Sequence, residues 1–176
     1  HSSLLARRPK LNISLLCRSS PEVVEMIESG KVDIGFVYDV AVTTGNVSVQ
    51  RLFTERMVLI HQPGAVDAKA PLDLTTVNLP LVCFPRPYAL RSMLHRQDIT
   101  YSIVAEVETT DAMLNLVHDG LGCCVLPENM RADLVEGRGL VRTPIAAPTL
   151  DRLVVAGTRA DRAHSPLMDL LLALGV

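Results

Sequence analysis

The chain carries four cysteines, five histidines and nineteen acidic side chains, enough for metal, nucleophilic or acid–base chemistry if their spacing brought them together. The spacing does not. Cys17, Cys83, Cys123 and Cys124 include no Cys-x-x-Cys pair and lie near no histidine at zinc-ligand spacing. Each sits in or at the end of an apolar run, where a free cysteine behaves as a small hydrophobe. Cys123 and Cys124 are adjacent, so in a strand they point to opposite faces and cannot enter one site. The thiols are expected to be reduced, as in a cytoplasmic chain. His1, His61, His95, His118 and His164 are scattered and read as surface or packing residues. Gly-x-Ser-x-Gly, a phosphate loop ending Gly-Lys-Ser/Thr, His-Glu-x-x-His and a metal-type Asp/Asn loop are all absent. Gly120-Leu121-Gly122 lacks the third glycine of a dinucleotide loop and opens a strand instead of a helix. The expectation is therefore no catalytic residue, no metal ligand and no cofactor.

Binding geometry remains. In open α/β sheets ligands sit beyond the carboxyl ends of the strands, where the following helices present free N–H groups and a positive dipole end. Three such ends are legible: Arg18-Ser19-Ser20 before a helix at Pro21, Phe84 to Tyr88, and Glu106 to Thr110. The first two combine hydroxyls, cations and free amides, a set suited to an organic anion. The third adds Glu106 and Glu108, which either receive a cationic group or face solvent. Ser20 is either a helix cap alone or a cap that also offers its neighbouring amides to a ligand. Arg86 is either a solvated loop arginine or a ligand clamp.

The elements that position these ends form two α/β series. Residues 11–16 (LNISLL) read as a strand, and Ser20-Pro21 as the N-cap and first residue of a helix with an apolar stripe of Val23, Val24, Met26 and Ile27 ending at Gly30. Residues 32–38 read as the next strand, completing a parallel βαβ unit. Strands follow around 49–53 and 56–61. A second series has a helical turn at 72–74, strands at 79–84, 102–108 and 122–126, and helices at 88–95 and 110–119. A short helix at 128–138, strands at 140–145 and 152–157, and a final helix from Ser165-Pro166 close the chain. Gln62–Gly64 and the AAPT run at 146–149 are the expected crossings between two lobes, one of residues 1–61 plus 150–176 and the other of residues 64–147. The apolar stripes Val23/Met26/Ile27 and Leu90/Met93/Leu94 give each lobe an amphipathic helix on which to pair with a second copy.

Composition excludes several classes. A formal net charge of −2 removes the broad cationic footprint of a nucleic-acid reader. Aromatics at 3%, with no Trp, leave little for base stacking and require a core of aliphatic residues. No apolar run reaches the roughly 20 residues of a membrane helix, and no secretory leader is visible near His1.

The segments 9–16 (PKLNISLL), 23–37 (VVEMIESGKVDIGFV), 51–60 (RLFTERMVLI), 73–82 (DLTTVNLPLV) and 119–127 (DGLGCCVLP) occur in an order and spacing that resemble the effector-binding domain of LysR-type transcriptional regulators. Gly30 to Gly35 and Gly120 to Pro127 are the most specific stretches. The resemblance implies an α/β fold of two Rossmann-like lobes in type 2 periplasmic-binding-protein architecture, joined by two crossover strands. It implies a small effector in the cleft, here anionic or zwitterionic. By position, Ser19 and Ser20 match a small polar pair that touches the effector, and Arg86 to Tyr88, following Phe84, match the loop lining the opposite lobe. Glu106 and Val107 match the strand end nearest the crossover. The family domain opens with a strand and a long helix, after a winged helix-turn-helix; this chain is expected to begin at the end of that long helix, with DNA contacted only through the missing module. The implied function is that of a ligand-sensing regulatory domain of a bacterial regulator that modulates DNA binding and transcription, cytoplasmic, homodimeric, and tetrameric in a full-length protein. The alternative is a solute-binding protein of a transporter with the same fold. A catalytic relative is a third reading, opposed by the missing constellations.

Overall fold

The computed structural model describes residues 12–67, 70–163 and Asp169. In chain order the elements are α1 (Ser20–Glu28), β1 (Gly35–Tyr38), β2 (Val47–His61), β3 (Leu72–Asp73), β4 (Leu79–Cys83), α2 (Ala89–His95), β5 (Tyr101–Glu106), α3 (Thr110–His118), β6 (Cys124–Pro127), α4 (Ala132–Val135), β7 (Val141–Ala147) and β8 (Asp151–Arg159).

The fifteen-residue β2 organises the fold. Its first part, Val47 to Arg56, pairs antiparallel with β8, with a register shift between Arg51 and Phe53, and β8 pairs in turn with β1. Its last part, Met57 to His61, pairs antiparallel with both β6 and β7. Short β3 runs parallel to β7, and β4 runs parallel to β5. Hydrogen bonds Val82 N–H to Cys123 O and Cys123 N–H to Pro80 O, both 2.8 Å, tie β4 to the approach of β6.

The two strand groups enclose separate cores. Val24 and Ile27 of α1 lie three residues apart on one helix face and pack with Val37, Val47 and Val155. This close seating depends on Gly35, where a Cβ would fall 2.4 Å from Val23 Cγ1. The larger core gathers Met57 to Ile60 of β2, α2 through Leu90, Met93 and Leu94, α3 through Met113, Leu114 and Val117, and β6. Within it, His61 is buried as a structural pin: its Nδ1 donates to Gln62 O at 2.7 Å, so Nε2 accepts from Thr143 Oγ1 at 2.8 Å.

The structure departs from the sequence reading at several places. Residues 12–16 form no strand; Ile13, Leu15 and Leu16 are exposed, because no described strand pairs with their backbone and an extended segment needs such a neighbour. Among the described residues no parallel βαβ unit is formed there, and the strand neighbour of β1 is antiparallel β8. The helix cap is Ser19, with Ser20 and Pro21 already inside α1. The segments 49–53 and 56–61 are one strand, which changes partners between Arg56 and Met57, whereas Gln62–Gly64 is a turn after it. Leu72–Asp73 is a strand rather than a helical turn, fixed by pairing with β7. Leu90, Met93 and Leu94 are spent in their own core, so that stripe is not free to meet a second copy. The helix expected from Ser165-Pro166 lies outside the described residues.

Candidate functional site

A cavity of about 520 Å³ opens where the two strand groups meet. The N-termini of α1 and α3, nine residues each, reach it from the two sides through Ser19, Ser20 and Thr110. The positive dipole ends of the two helices favour negative charge there. Arg18 adds an exposed guanidinium whose Nη1 donates to Cys17 O at 2.7 Å. Phe36, Phe84, Leu126, Pro127, Met130 and Leu134 supply apolar wall.

The α1 cap is built by mutual hydrogen bonding. Ser19 donates to the Glu22 carboxylate from both its backbone N–H, at 3.0 Å, and its hydroxyl. Those bonds hold Glu22 below the usual carboxylate range. They also occupy the hydroxyl of Ser19, a residue only 1% exposed. Ser20 Oγ accepts weakly from the Tyr38 N–H at 3.4 Å and stays partly exposed at the cavity. On the opposite wall Tyr88 stacks on Phe84, with ring centroids 5.1 Å apart and planes at 10°. Burial, then the Glu108 and Glu22 carboxylates, push the Tyr88 phenol up. At the strand crossing, the Tyr38 hydroxyl donates to Glu55 Oε2 at 2.8 Å, and burial followed by the adjacent carboxylate raises that phenol as well.

Of the residues singled out from sequence, Ser19, Ser20, Phe84 and Tyr88 line this cavity, whereas Arg86, Glu106 and Val107 are not among its lining residues. Arg86 stands exposed in the loop before α2. Glu106 turns toward Arg91, Oε1 to Nη2 3.9 Å. Val107 packs against the larger core, and its N–H donates to Cys83 O at 3.0 Å. Tyr38, Glu55, Leu126, Pro127 and Met130 were not anticipated. One signal could have found Glu55: if residues 47–61 are read as one continuous strand, its polar midpoint falls where the chain passes between the cores.

The cysteines take no part in the cavity lining. Cys17 is exposed, and Cys83, Cys123 and Cys124 are buried, with burial pushing each of these three thiols up. No cluster of three or more His, Cys, Asp or Glu suited to a metal ion occurs among the described residues. No helix among them is long and apolar enough to cross a membrane.

Comparisons with known proteins converge on one family. The model of the LysR substrate binding domain matches residues 2–174. The transcriptional dual regulator GltC of Bacillus subtilis is 28% identical over 140 residues, covering 75% of this chain and 46% of that protein, so the chain spans about half the length of this curated relative. The effector binding domain of QuiR in complex with shikimate superposes with a TM-score of 0.81 at 17% identity, covering 99% of this chain and 85% of that one. The regulatory domain of Synechocystis CcmR in complex with 2-PG gives 0.80 at 14% identity, covering 99% and 86%. The C-terminal domain of a probable LysR family transcriptional regulator from Rhodococcus gives 0.80 at 21%, covering 99% and 88%. These likenesses give the type 2 periplasmic-binding-protein-like fold, and with a family model spanning nearly every residue, the chain belongs to the LysR substrate binding domain family.

Proposed function

We propose that this chain is the ligand-sensing part of a LysR-type transcriptional regulator and holds a small anionic or zwitterionic organic molecule between its two lobes. The observation that carries this reading is the cavity itself, which receives one helix N-terminus from each side of the crossing strands. A ligand bridging the two would favour the closed arrangement over the open one, and the difference in affinity, typically about 1–3 kcal/mol, is all that regulation requires. QuiR with shikimate and CcmR with 2-PG support a small organic ligand in this fold. The pairing of β2 supports lobes that divide at Arg56 and Met57, with the return crossing at 148–150 before β8. The family match and the regulator GltC favour this reading over a transporter's solute-binding protein. In this reading the protein is a cytoplasmic sensor rather than an enzyme, and DNA is contacted by a winged helix-turn-helix outside these residues.

Ligand contact is assigned to Ser20, Thr110, Tyr88 and Arg18, with Ser19 shaping the helix end. Calorimetry with shikimate and a panel of small carboxylates tests this. Arg18→Ala should weaken the best binder about tenfold, the low end for a charged hydrogen bond because the guanidinium is solvent-exposed. Arg86→Ala should leave affinity unchanged. The reverse pattern, or binding indifferent to Arg18→Ala combined with Thr110→Val, would remove the cavity assignment.

Self-association belongs to the same reading. The exposed apolar side chains Ile13, Leu15 and Leu16 precede α1 in the chain, and Ile103 and Val104 lie on β5, which has only β4 as a strand neighbour among the described residues. A two-fold contact joining the first segment of one copy to β5 of the other would bury both sets and should exceed roughly 1,000 Å². Sedimentation is expected to show a dimer at micromolar concentration, shifted toward monomer by Val104→Glu. A concentration-independent monomer would refute it.

A further inference from the structure

The proposed cavity is electrically two-ended. At one end stand Arg18, Ser20 and Thr110 with the α1 and α3 amides; the strand crossing brings a carboxylate, Glu55, into the same lining. The Glu55 side chain is half-buried, and its Oε2 accepts from the Tyr38 hydroxyl at 2.8 Å. Its other oxygen, Oε1, has no hydrogen-bond or ion-pair partner among the described residues. Arg152 lies directly across from Glu55 in the β2–β8 register, yet no ion pair joins them among the described residues. Arg152 instead buries its Nε without a partner.

A ligand that fills the apolar walls displaces water from Glu55. A carboxylate stripped of water on one side is destabilised unless a donor replaces that water, and charge facing charge raises the penalty. A plain carboxylate ligand, drawn to the Arg18 end, would leave Glu55 desolvated with one oxygen unmatched. A ligand that also carries an ammonium or similar cationic donor would satisfy it and gain a charge-assisted hydrogen bond. We infer that Glu55, steadied by Tyr38, is a specificity-determining residue that selects zwitterionic effectors, molecules bearing a primary ammonium as well as an acid group, over the matching plain acids. This inference rests on the effector cavity proposed above.

The test uses matched probes that differ only in the amino group: 6-aminohexanoate against hexanoate, 4-aminobutanoate against butanoate, and phenylalanine against 3-phenylpropanoate. Binding is measured by calorimetry on the intact protein and on Glu55→Gln and Tyr38→Phe. At least one amino-bearing probe should bind ten times or more tightly than its partner. That preference should fall to about twofold or less in Glu55→Gln, which keeps the side-chain shape, and should persist in Tyr38→Phe, which keeps the carboxylate. Binding of the plain acids as tightly as the amino acids, or a preference that survives Glu55→Gln, overturns the selectivity while leaving the cavity as the effector site. Absence of binding by every probe, with shikimate and the small carboxylates also silent, overturns both.

Discussion

Leu59→Ala is expected to lower the free energy of unfolding by about 2–5 kcal/mol, through lost transfer energy and the void it leaves. Leu59 is fully buried in β2, where the strand pairs on both sides, opposite Val125 of β6 and Thr143 of β7. Neighbours held by two ladders cannot easily relax into the space, which places the cost high in that range. Ile27→Ala should cost a similar amount, but with a different signature. Ile27 belongs to a core that holds five buried residues among those described, so losing it weakens the smaller strand group without touching Met57 to His61. Hydrogen exchange followed by mass spectrometry separates the two outcomes. Leu59→Ala should speed exchange in both strand groups, because β2 is common to them, whereas Ile27→Ala should speed it in α1, β1 and β8 and spare β6 and α3. Uniform acceleration by Ile27→Ala would show that the two cores melt as one unit.

The same partition explains which parts of the molecule could be read from sequence. The helices were legible because their signals are local. Ser19 to Glu22 cap α1, Thr109 caps α3 by accepting from Ala112 N–H at 3.2 Å, and Gly120 ends that helix with φ of 84°. The continuity of β2 was hidden because its burial pattern carries no period of two. Val47 and Met57 to His61 are buried and the stretch between is largely exposed, as befits a strand that leaves one core before entering another. Strand β3 has two residues and exists by pairing with β7, a contact far away in sequence. The site divides the same way. Ser19, Ser20, Phe84 and Tyr88 follow from the rule that ligands meet strand ends and helix starts. Glu106 follows the same rule but is drawn toward Arg91, a residue only 7% exposed whose guanidinium also lies 5.8 Å from the Tyr101 ring centroid. Nothing in the sequence marks that helix arginine as inward-facing. Glu55 reaches the cavity because β2 changes partners beside it, a tertiary event that the sequence marks only by the polar middle of a strand with two apolar ends.

Gly122→Ala is expected to be among the most damaging single-methyl additions in the chain. A Cβ at Gly122 would lie 2.5 Å from Pro80 O and 3.1 Å from Pro80 C, and both are backbone atoms that cannot swing aside as a side-chain end does. Relief requires β4 to separate from residues 122–123, which breaks the Cys123 N–H to Pro80 O bond and stretches the Val82 N–H to Cys123 O bond. Each such bond contributes about 1 kcal/mol net, and overpacking of this kind costs about 1–3 kcal/mol more, so the total loss should be about 3–5 kcal/mol. Gly137→Ala is the matched control: a Cβ there meets nothing within 4 Å, and its backbone is not left-handed, so stability should hold or rise, by up to about 1 kcal/mol. The effect should reach the ligand as well. Strand β4 leads directly into Phe84 and Tyr88, the stacked pair on the cavity wall, so any Gly122→Ala protein that still folds at low temperature should bind its effector more weakly than wild type. Urea denaturation followed by circular dichroism reads the stability difference, and calorimetry on the folded fraction reads the affinity. If Gly122→Ala proved as harmless as Gly137→Ala, the close approach of β4 to this glycine would not be what ties β4 and the wall it carries to the β2 sheet.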